Sequence, residues 1–425
     1  EFQETRLTPL TDTRARLTGH DVRIMVGVFA AQFGVFTALM APALVSLAVR
    51  IAQITPNAAA RNDGLAWALG IGALFAMVAN PVFGALSDRT RTRWGRRMPW
   101  VAAGFVIGVG GLLVLAFAGG TLGLVVGWCI VQVGFNASYA AVAALMSDMV
   151  PEAQRGRFAA VMGVGQYASL IVATGVVSLV VTNTLAMFLV PAIVAAVGVA
   201  VLFILVKEPV LDRADVASTD LRSFFTGFWV SPRRHPDFFW ACISRFFKTA
   251  AQFTLTSYQT YFFIDRFGFT PEGVAGAVAL ATAISTVMVL VTSVISGWLS
   301  DRLGRRKVFI WGAAFFVAVG MLLLCLHVPF AVMMIFIGII GFAQGLYASV
   351  DVAIIVDVLP DKKDAAKDLG IANIAGTLPQ SILPAVAPLF LAIGGGHENY
   401  TAFFLAGAVA AVIGAVTIFP VRRVR

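Results

Sequence analysis

Long apolar stretches follow one another along the chain, and short polar segments separate them. Most run for about 20 residues or more, enough for a helix to cross a hydrocarbon core about 30 Å thick. They lack the alternation of membrane β-strands, and inside lipid only helices and closed barrels satisfy every backbone polar group. The pattern therefore predicts an all-α membrane protein. We place twelve spans, near residues 22–49, 65–87, 99–119, 121–148, 158–181, 185–206, 237–264, 272–299, 308–328, 330–357, 369–393 and 399–420.

The longest polar connection, residues 207–236, divides these spans into two groups of six. Such a segment is typical of a linker between two helical bundles. The first span is too long for the core of a signal peptide, so we expect no cleaved signal. The predicted organisation is a tail at 1–21, a six-helix bundle at 22–206, the linker at 207–236, a second six-helix bundle at 237–420 and a tail at 421–425.

Positive charge is distributed unevenly between the two sides of the predicted membrane. Of the 31 Lys and Arg residues, 26 fall on the side of the two tails and 3 on the other, while Arg245 and Lys248 lie within a span. Cytoplasmic loops of membrane proteins carry such an excess of positive charge. We therefore predict a protein of the cytoplasmic membrane with both termini on the cytoplasmic side. The net charge of +9 follows from this asymmetry, and it does not indicate nucleic-acid binding. The three cysteines lie far apart in the chain, so they form no recognisable metal-binding pattern. We expect no metal and no cofactor, and we expect the protein to be a monomer.

An arginine-rich motif occurs twice, at equivalent places in the two groups of spans. GALSDRTRTRWGRRMPW, residues 84–100, follows the second span, and GWLSDRLGRRK, residues 297–307, follows the eighth. A second echo, SDMVPE at 147–152 and VDVLPD at 356–361, closes the fourth and tenth spans. Two parallel repeats related by an axis along the membrane normal are the plan of an alternating-access carrier.

The repeated motif predicts a gate at the cytoplasmic side. Asp88 and Asp301 sit at helix C-termini, where the helix dipole disfavours an anion, so each needs a partner from loop arginines or from the opposite half. A contact made only while this side is closed would bias the two states of a carrier. Alternatively, the arginines only anchor the topology, which we favour for Arg91 and Arg93. The predicted gate residues are Gly84 and Gly297, where glycine allows close helix approach, together with Asp88, Arg89, Gly95, Arg96, Arg97, Asp148, Asp301, Arg302, Gly304, Arg305 and Arg306.

Polar residues within the spans form stripes, and lipid-facing positions hold such residues only at high cost. In the seventh span, Arg245, Lys248 and Gln252 share an arc of about 100° with further polar residues at helical spacing. For any single residue, a hydrogen bond between packed helices is an equal alternative, but a whole stripe favours a transport pathway. The predicted substrate-binding residues are Gln132, Asn136, Tyr139, Gln252, Thr256, Gln259, Gln344, Tyr347, Asn373 and Gln380.

Depth in the membrane predicts one charge pair. Arg245 and Asp351 each lie about eight residues from the cytoplasmic end of their span, roughly 12 Å deep at 1.5 Å per residue. We predict that Asp351 pairs with Arg245, or with Lys248 one turn deeper, because an unpaired charge at this depth is costly. A carboxylate that is alternately paired and exposed suits proton coupling, and a permanent structural ion pair is the alternative.

The motif G-x-x-x-D-R-x-G-R-R after the second and eighth spans resembles the major facilitator superfamily. The longer form SDRTRTRWGRRMPW, with QFGVFTALMAP in span 1 and DLGIANIAGTLPQSILP in span 11, is similar to the glycoside–pentoside–hexuronide symporters and the plant sucrose carriers. This resemblance implies a major facilitator fold with a central cavity lined by spans 1, 4, 7 and 10. One departure is Gln132, which stands where the sucrose carriers have an acid. Coupling would then fall to Asp351, or transport would be uncoupled.

The polar stripes are rich in amides, hydroxyls and tyrosines, which suit the hydroxyls and CH faces of a sugar. We therefore predict a transporter that imports a sugar or glycoside, most simply a mono- or disaccharide, with protons, by alternating access. An exporter working by proton antiport, an uncoupled uniporter and a non-transporting sensor are the alternatives, and Arg245 and Lys248 leave an organic anion open as substrate. An enzyme is not expected, because the spans contain no cluster of catalytic groups or cofactor motif.

Overall fold

The structure is a computed structural model that describes residues 18–55, 57–209, 233–359 and 365–421. Most of the predicted linker and tails lies outside the described residues. The described chain forms twelve helices, and their order follows the twelve predicted spans. They are α1 Gly19–Ile54, α2 Ala58–Arg89, α3 Met98–Phe117, α4 Thr121–Met149, α5 Glu152–Val180, α6 Thr184–Leu205, α7 Pro236–Phe267, α8 Val274–Leu303, α9 Arg306–Leu324, α10 Phe330–Asp357, α11 Ala365–Leu391 and α12 Tyr400–Val416.

Local sequence signals explain where several helices begin. Thr18 and Asp21 form a capping box at the start of α1, since each side chain accepts the backbone N–H of the other residue. The side chains of Asn57, Asn183 and Asn399 accept backbone N–H groups at the starts of α2, α6 and α12. These caps satisfy donors that a helix leaves unpaired at its first turn.

A π-helical turn interrupts α1 at Pro42–Ser46. Such turns change the backbone hydrogen-bonding pattern and are common at functional positions. Here the carbonyl of Leu44, within the turn, accepts a hydrogen bond from Thr260 Oγ1 of α7 at 3.0 Å. The hydroxyl of Ser46 donates to the carbonyl of Met187 in α6 at 3.2 Å. The irregular turn therefore ties α1 both to its own bundle and to the other one.

Ten of the described helices are long and apolar enough to cross a membrane by themselves. The polar α7 and the 17-residue α12 do not meet that criterion alone. Helices α1–α6 form one half and α7–α12 the other, and the halves meet mainly where α2 packs against α11 and α5 against α8. The molecule is thus a bundle of two six-helix halves with their interface at the centre.

Glycines bring helices close together at some crossings but not at the predicted ones. A Cβ on Gly134 of α4 would contact the backbone of Gly108 in α3, so this crossing requires glycine. A Cβ at Gly84 would instead meet no described atom within 4 Å, and one at Gly297 would make an ordinary contact of 3.8 Å with Ser349. Neither position therefore requires glycine for a close helix approach to the described residues in this conformation, although that is what the sequence predicted.

Candidate functional site

A cavity of about 570 Å³ lies between the two halves. Its walls come from α1, α2, α4 and α5 on one side and α7, α8, α10 and α11 on the other. The predicted polar stripe of α7 lines it: Arg245, Lys248, Thr249, Gln252, Thr256 and Gln259 all reach the cavity. The helical spacing of these residues is what places them on one wall.

Eight of the ten predicted substrate-binding residues line this cavity. They are Gln132, Gln252, Thr256, Gln259, Gln344, Tyr347, Asn373 and Gln380. Asn136 and Tyr139 lie outside the lining in this conformation. Asn136 accepts from Asn80 Nδ2 at 3.0 Å and donates to Gln132 Oε1 at 2.8 Å, so its amide joins α4 to α2. The ring of Tyr139 packs against Phe36, with centroids 6.0 Å apart.

Several cavity residues were not singled out from the sequence. Gln166 and Tyr167 reach the cavity from α5, and Thr282, Ser285 and Thr286 reach it from α8. Short hydroxyl side chains commonly bond to their own helix backbone, which makes their presence in an apolar span a weak signal. The spacing of the three α8 residues, which places them on one face, is the signal that could have found them.

The predicted ion pair is present in the wall of the cavity. Arg245 Nη2 lies 3.2 Å from Asp351 Oδ2, and the two side chains are about four-fifths buried. Lys248, one turn along α7, donates to Gln252 Oε1 at 3.1 Å and places its Nζ 4.2 Å from the centre of the Tyr347 ring. Of the two predicted partners, Arg245 is therefore the one that pairs with Asp351, while Lys248 contacts the uncharged Gln252 and Tyr347.

The cavity is exposed at one end and buried at the other. Asn373 and Thr377 are exposed, and they lie in the first half of α11. Gln132, Gln259 and Trp128 line the cavity further from that end and are buried. The cavity therefore opens toward the end that carries the α2–α3 and α8–α9 connections, which we call the arginine-rich end. We call the other end the closed end.

At the arginine-rich end, the first motif folds around a buried arginine. The guanidinium of Arg97 lies 2.5 Å from Asp88 and 3.0 Å from Asp148, and it also donates to Ser87 Oγ at 2.5 Å. Arg96 pairs with the other oxygen of Asp148 at 2.7 Å. These contacts join the ends of α2 and α4 to the start of α3, all within one half.

Glu208, beyond the end of α6, completes this network. Its carboxylate accepts the backbone N–H of Arg97 at 2.9 Å and that of Met98 at 3.1 Å, at the N-terminus of α3. Gly95 precedes them with φ of +98°, and a Cβ there would overlap the Glu208 side chain. The glycine in the motif is thus required for the turn and for the approach of this carboxylate.

The second motif is more open than the first. Arg306 pairs with Asp357 within the second half, while Asp301 and Arg302 are exposed. Gly304 ends α8 in the left-handed conformation with φ of +62°. The other motif residues also lie at helix ends, with Arg89 closing α2 and Arg305 preceding α9. Of the two partner sources predicted for Asp88, the loop arginines supply the one it has, since its cationic partner is Arg97 of its own half, and in this conformation the contact does not cross between the halves.

Two six-helix halves around a central cavity that opens at one end define a multi-pass membrane transporter rather than an enzyme. The family model described as Major Facilitator Superfamily matches residues 24–296 and again 273–425. The chain belongs to the Major Facilitator Superfamily.

The chain resembles solved structures over most of its length, but its sequence resembles that of a curated protein over only a short stretch. A stretch of 38 residues is 53% identical to an uncharacterized symporter, sll1374, of Synechocystis sp., and it spans 9% of this chain and 7% of that protein. A mutant form of the nucleoside transporter NupG is similar with a TM-score of 0.73 and 14% identity over 94% of this chain and 100% of that one. The peptide transporter POT in complex with sulfate is similar with a TM-score of 0.68 and 16% identity over 92% and 93% of the two chains. These structures share the fold with this chain.

Proposed function

We propose that the protein is a secondary transporter that imports a sugar or glycoside by alternating access, coupled to protons through Asp351. The observation that carries this proposal is the cavity between the halves, in which amides and hydroxyls surround the ion pair of Arg245 and Asp351. Carbohydrate hydroxyls both donate and accept hydrogen bonds, and an amide side chain can bind them in either way because it has a donor nitrogen and an acceptor oxygen. The lining of Gln132, Gln252, Gln344 and Gln380 supplies such groups from both halves.

Orientation follows from the distribution of positive charge. The arginine-rich end carries most of the Lys and Arg residues, so in this proposal it faces the cytoplasm. The cavity then opens inward in the present conformation, and import requires a second conformation that opens at the closed end. Asp88 and Asp301 would contribute to the gate at the cytoplasmic side in that second conformation.

Coupling is assigned to Asp351 because its contact with Arg245 can be exchanged for a proton. In the proposed cycle, a proton from outside neutralises Asp351, the ion pair opens, and the freed guanidinium donates to oxygens of the substrate. After the substrate leaves, Arg245 pairs again with Asp351, which favours the charged carboxylate and releases the proton inward. Arg245 and Asp351 thus alternate between pairing with each other and binding the substrate and the proton.

Counterflow in proteoliposomes tests this function. We expect the unmodified protein to exchange at least one member of a panel of labelled neutral mono- and disaccharides, and to accumulate it when a proton gradient is imposed. Asp351→Asn should abolish accumulation and keep exchange, since the amide cannot carry the proton. Asp357→Asn is the matched control, because this carboxylate lies on the same helix but pairs with Arg306 away from the cavity. Accumulation that survives Asp351→Asn contradicts the coupling assignment, and absence of exchange across the panel contradicts the sugar assignment.

A second candidate substrate class is an organic anion. The charged side chains in the cavity lining are Arg245, Lys248 and Asp351, so among the described residues the cations exceed the carboxylates. An anionic substrate would balance the second cation, because Asp351 pairs with Arg245 while Lys248 contacts the uncharged Gln252 and Tyr347. Adding acid forms of the same sugars to the counterflow panel decides between the classes, since an anion carrier should exchange the acid and reject the neutral parent.

A further inference from the structure

The closed end is held by a buried ion pair that joins the two halves. Two contacts, at 2.8 and 2.6 Å, connect the guanidinium of Arg61, in the first half, to both carboxylate oxygens of Asp265, in the second. Both side chains are more than nine-tenths buried, with 8% and 7% of their surface exposed. Both contacts come from the same nitrogen, Nη2, and they are charge-assisted hydrogen bonds that solvent ions screen much less at this depth than at the surface.

The surroundings of Arg61 come from the second half as well. Tyr400 of α12 donates its hydroxyl to Asp265 at 2.6 Å, and the ring of Tyr261 in α7 lies 4.5 Å from the Arg61 guanidinium. Both tyrosines are buried. When the halves separate at this end, Arg61 therefore parts from its carboxylate and from this aromatic contact together.

Further hydrogen bonds between the halves surround this centre. Asn62 donates to the carbonyl of His397 at 2.8 Å and its own carbonyl accepts from Tyr258 at 2.9 Å. Gln53 donates to Glu272 at 3.1 Å. The contacts form one layer across α1, α2, α7 and α12 and the adjoining loops. This layer lies between the buried floor of the cavity and the outside of the closed end.

We propose that Arg61, Asp265 and Tyr400 form the gate of the closed end and set the preference of the empty transporter for the conformation seen here. The gate must break on every transport cycle, because the cavity has no opening at this end until the two halves part. Removing one charge leaves the other buried without its counter-ion in the closed form, whereas water solvates it in the open form. Loss of Asp265 should therefore populate the form that opens at the closed end.

The test measures distances across both ends of the full-length protein in lipid nanodiscs by double electron–electron resonance. Spin labels replace the exposed Leu122 and Leu326 at the closed end, or the exposed Trp94 and Leu303 at the arginine-rich end. The three native cysteines are replaced by alanine, and this background is compared with the parent in stability. Each label pair bridges the two halves, so a change in opening appears as a change in distance.

Asp265→Asn should lengthen the Leu122–Leu326 distance and shorten the Trp94–Leu303 distance, with the outward-open population rising at least about tenfold. Asp63→Asn is the control, since this exposed carboxylate lies two residues from Arg61 and its removal should leave both distances unchanged. The exchange Arg61→Asp with Asp265→Arg should return the distribution toward that of the parent. Tyr400→Phe, which keeps the ion pair and removes one hydroxyl, should produce a smaller shift in the same direction.

Unchanged distances in both Asp265→Asn and Tyr400→Phe would overturn the proposal. An equal shift in Asp63→Asn would also overturn it, because the effect would then be one of general charge. If Asp265→Asn does not fold, Tyr400→Phe and the exchanged pair decide the outcome. None of these measurements needs a substrate, so their result is independent of whether the protein carries a sugar.

Discussion

The two ends of the bundle are built from similar chemistry but connect different parts of the molecule. At the closed end, Arg61 and Asp265 join the two halves. At the arginine-rich end, Arg97 with Asp148 and Arg306 with Asp357 each stay within one half. Both ends contain charged side chains with short contacts, so the presence of ion pairs does not by itself show where a gate is closed. An ion pair holds a gate closed only when its two partners belong to different halves, because partners in the same half move together.

This difference explains why the cavity is exposed where the sequence is richest in arginine. A contact within a half makes that half rigid and leaves its position relative to the other half free. A contact between halves stabilises one relative position and must be broken to reach another. In the present conformation, the contacts of the repeated motif stabilise each half separately and do not connect the two halves.

The largest expected effect concerns the buried arginine of the first motif. Arg97→Leu should reduce the free energy of unfolding by at least about 3 kcal/mol, because the buried guanidinium makes several charge-assisted hydrogen bonds, to Asp88, Asp148 and Ser87, each of which contributes about 1.5–3 kcal/mol. Thermal unfolding in detergent micelles measures this loss. Arg306→Leu is the matched control in the second motif, where the partially exposed pair should contribute about 0–1 kcal/mol. Equal losses in the two variants would show that the motifs do not differ as described.

A smaller loss is expected for the carboxylate that caps α3. Glu208→Gln removes the charge that accepts the backbone N–H groups of Arg97 and Met98, and it should cost about 1.5–3 kcal/mol of stability. The same unfolding measurement applies, and the distances across both ends should remain those of the parent. A change in those distances would mean that Glu208 also acts between the halves.

The smallest expected effect concerns one neutral hydrogen bond between the halves near the closed end. Thr260→Val removes the donor to the Leu44 carbonyl and should favour opening of the closed end by about 0.5–1.5 kcal/mol. Labelling of a cysteine placed at Gln259 by a membrane-impermeant maleimide reports this opening. Thr377→Val serves as the control, because its hydroxyl bonds within α11 and it is exposed at the other end. A faster labelling rate in the control would contradict the assignment of ends.

Much of the fold follows from simple periodicity. Twelve apolar runs appear as twelve helices, and the repeat of the arginine-rich motif predicted the division into two halves, because each copy ends the second helix of a half. The spacing of polar residues on α7 was sufficient to place six of them on the cavity wall. Comparing depths narrowed the partner of Asp351 to Arg245 or Lys248, since each helix advances by a known rise per residue, and the structure selects Arg245.

The site was predicted less well where contacts depend on neighbouring helices. Asn136 shares a helix face with Gln132, yet its amide oxygen accepts a hydrogen bond from Asn80 of α2, and Asn136 does not line the cavity. Arg61 resembles an ordinary residue at a membrane surface, and nothing in its local sequence indicates Asp265 as a partner 204 positions away. The contribution of α8 was missed because serine and threonine side chains are common within apolar helices.

The sequence by itself determined the membrane class, the number and order of the helices, the two-fold repetition and the polar face of α7. These properties depend on interactions between near neighbours in the chain and on the transfer of apolar segments into lipid. Only the tertiary structure decided which end is open, which charges join the halves and which amides face the cavity. Those features depend on how two rigid halves are set against each other, and the same chain can satisfy its local preferences in either arrangement.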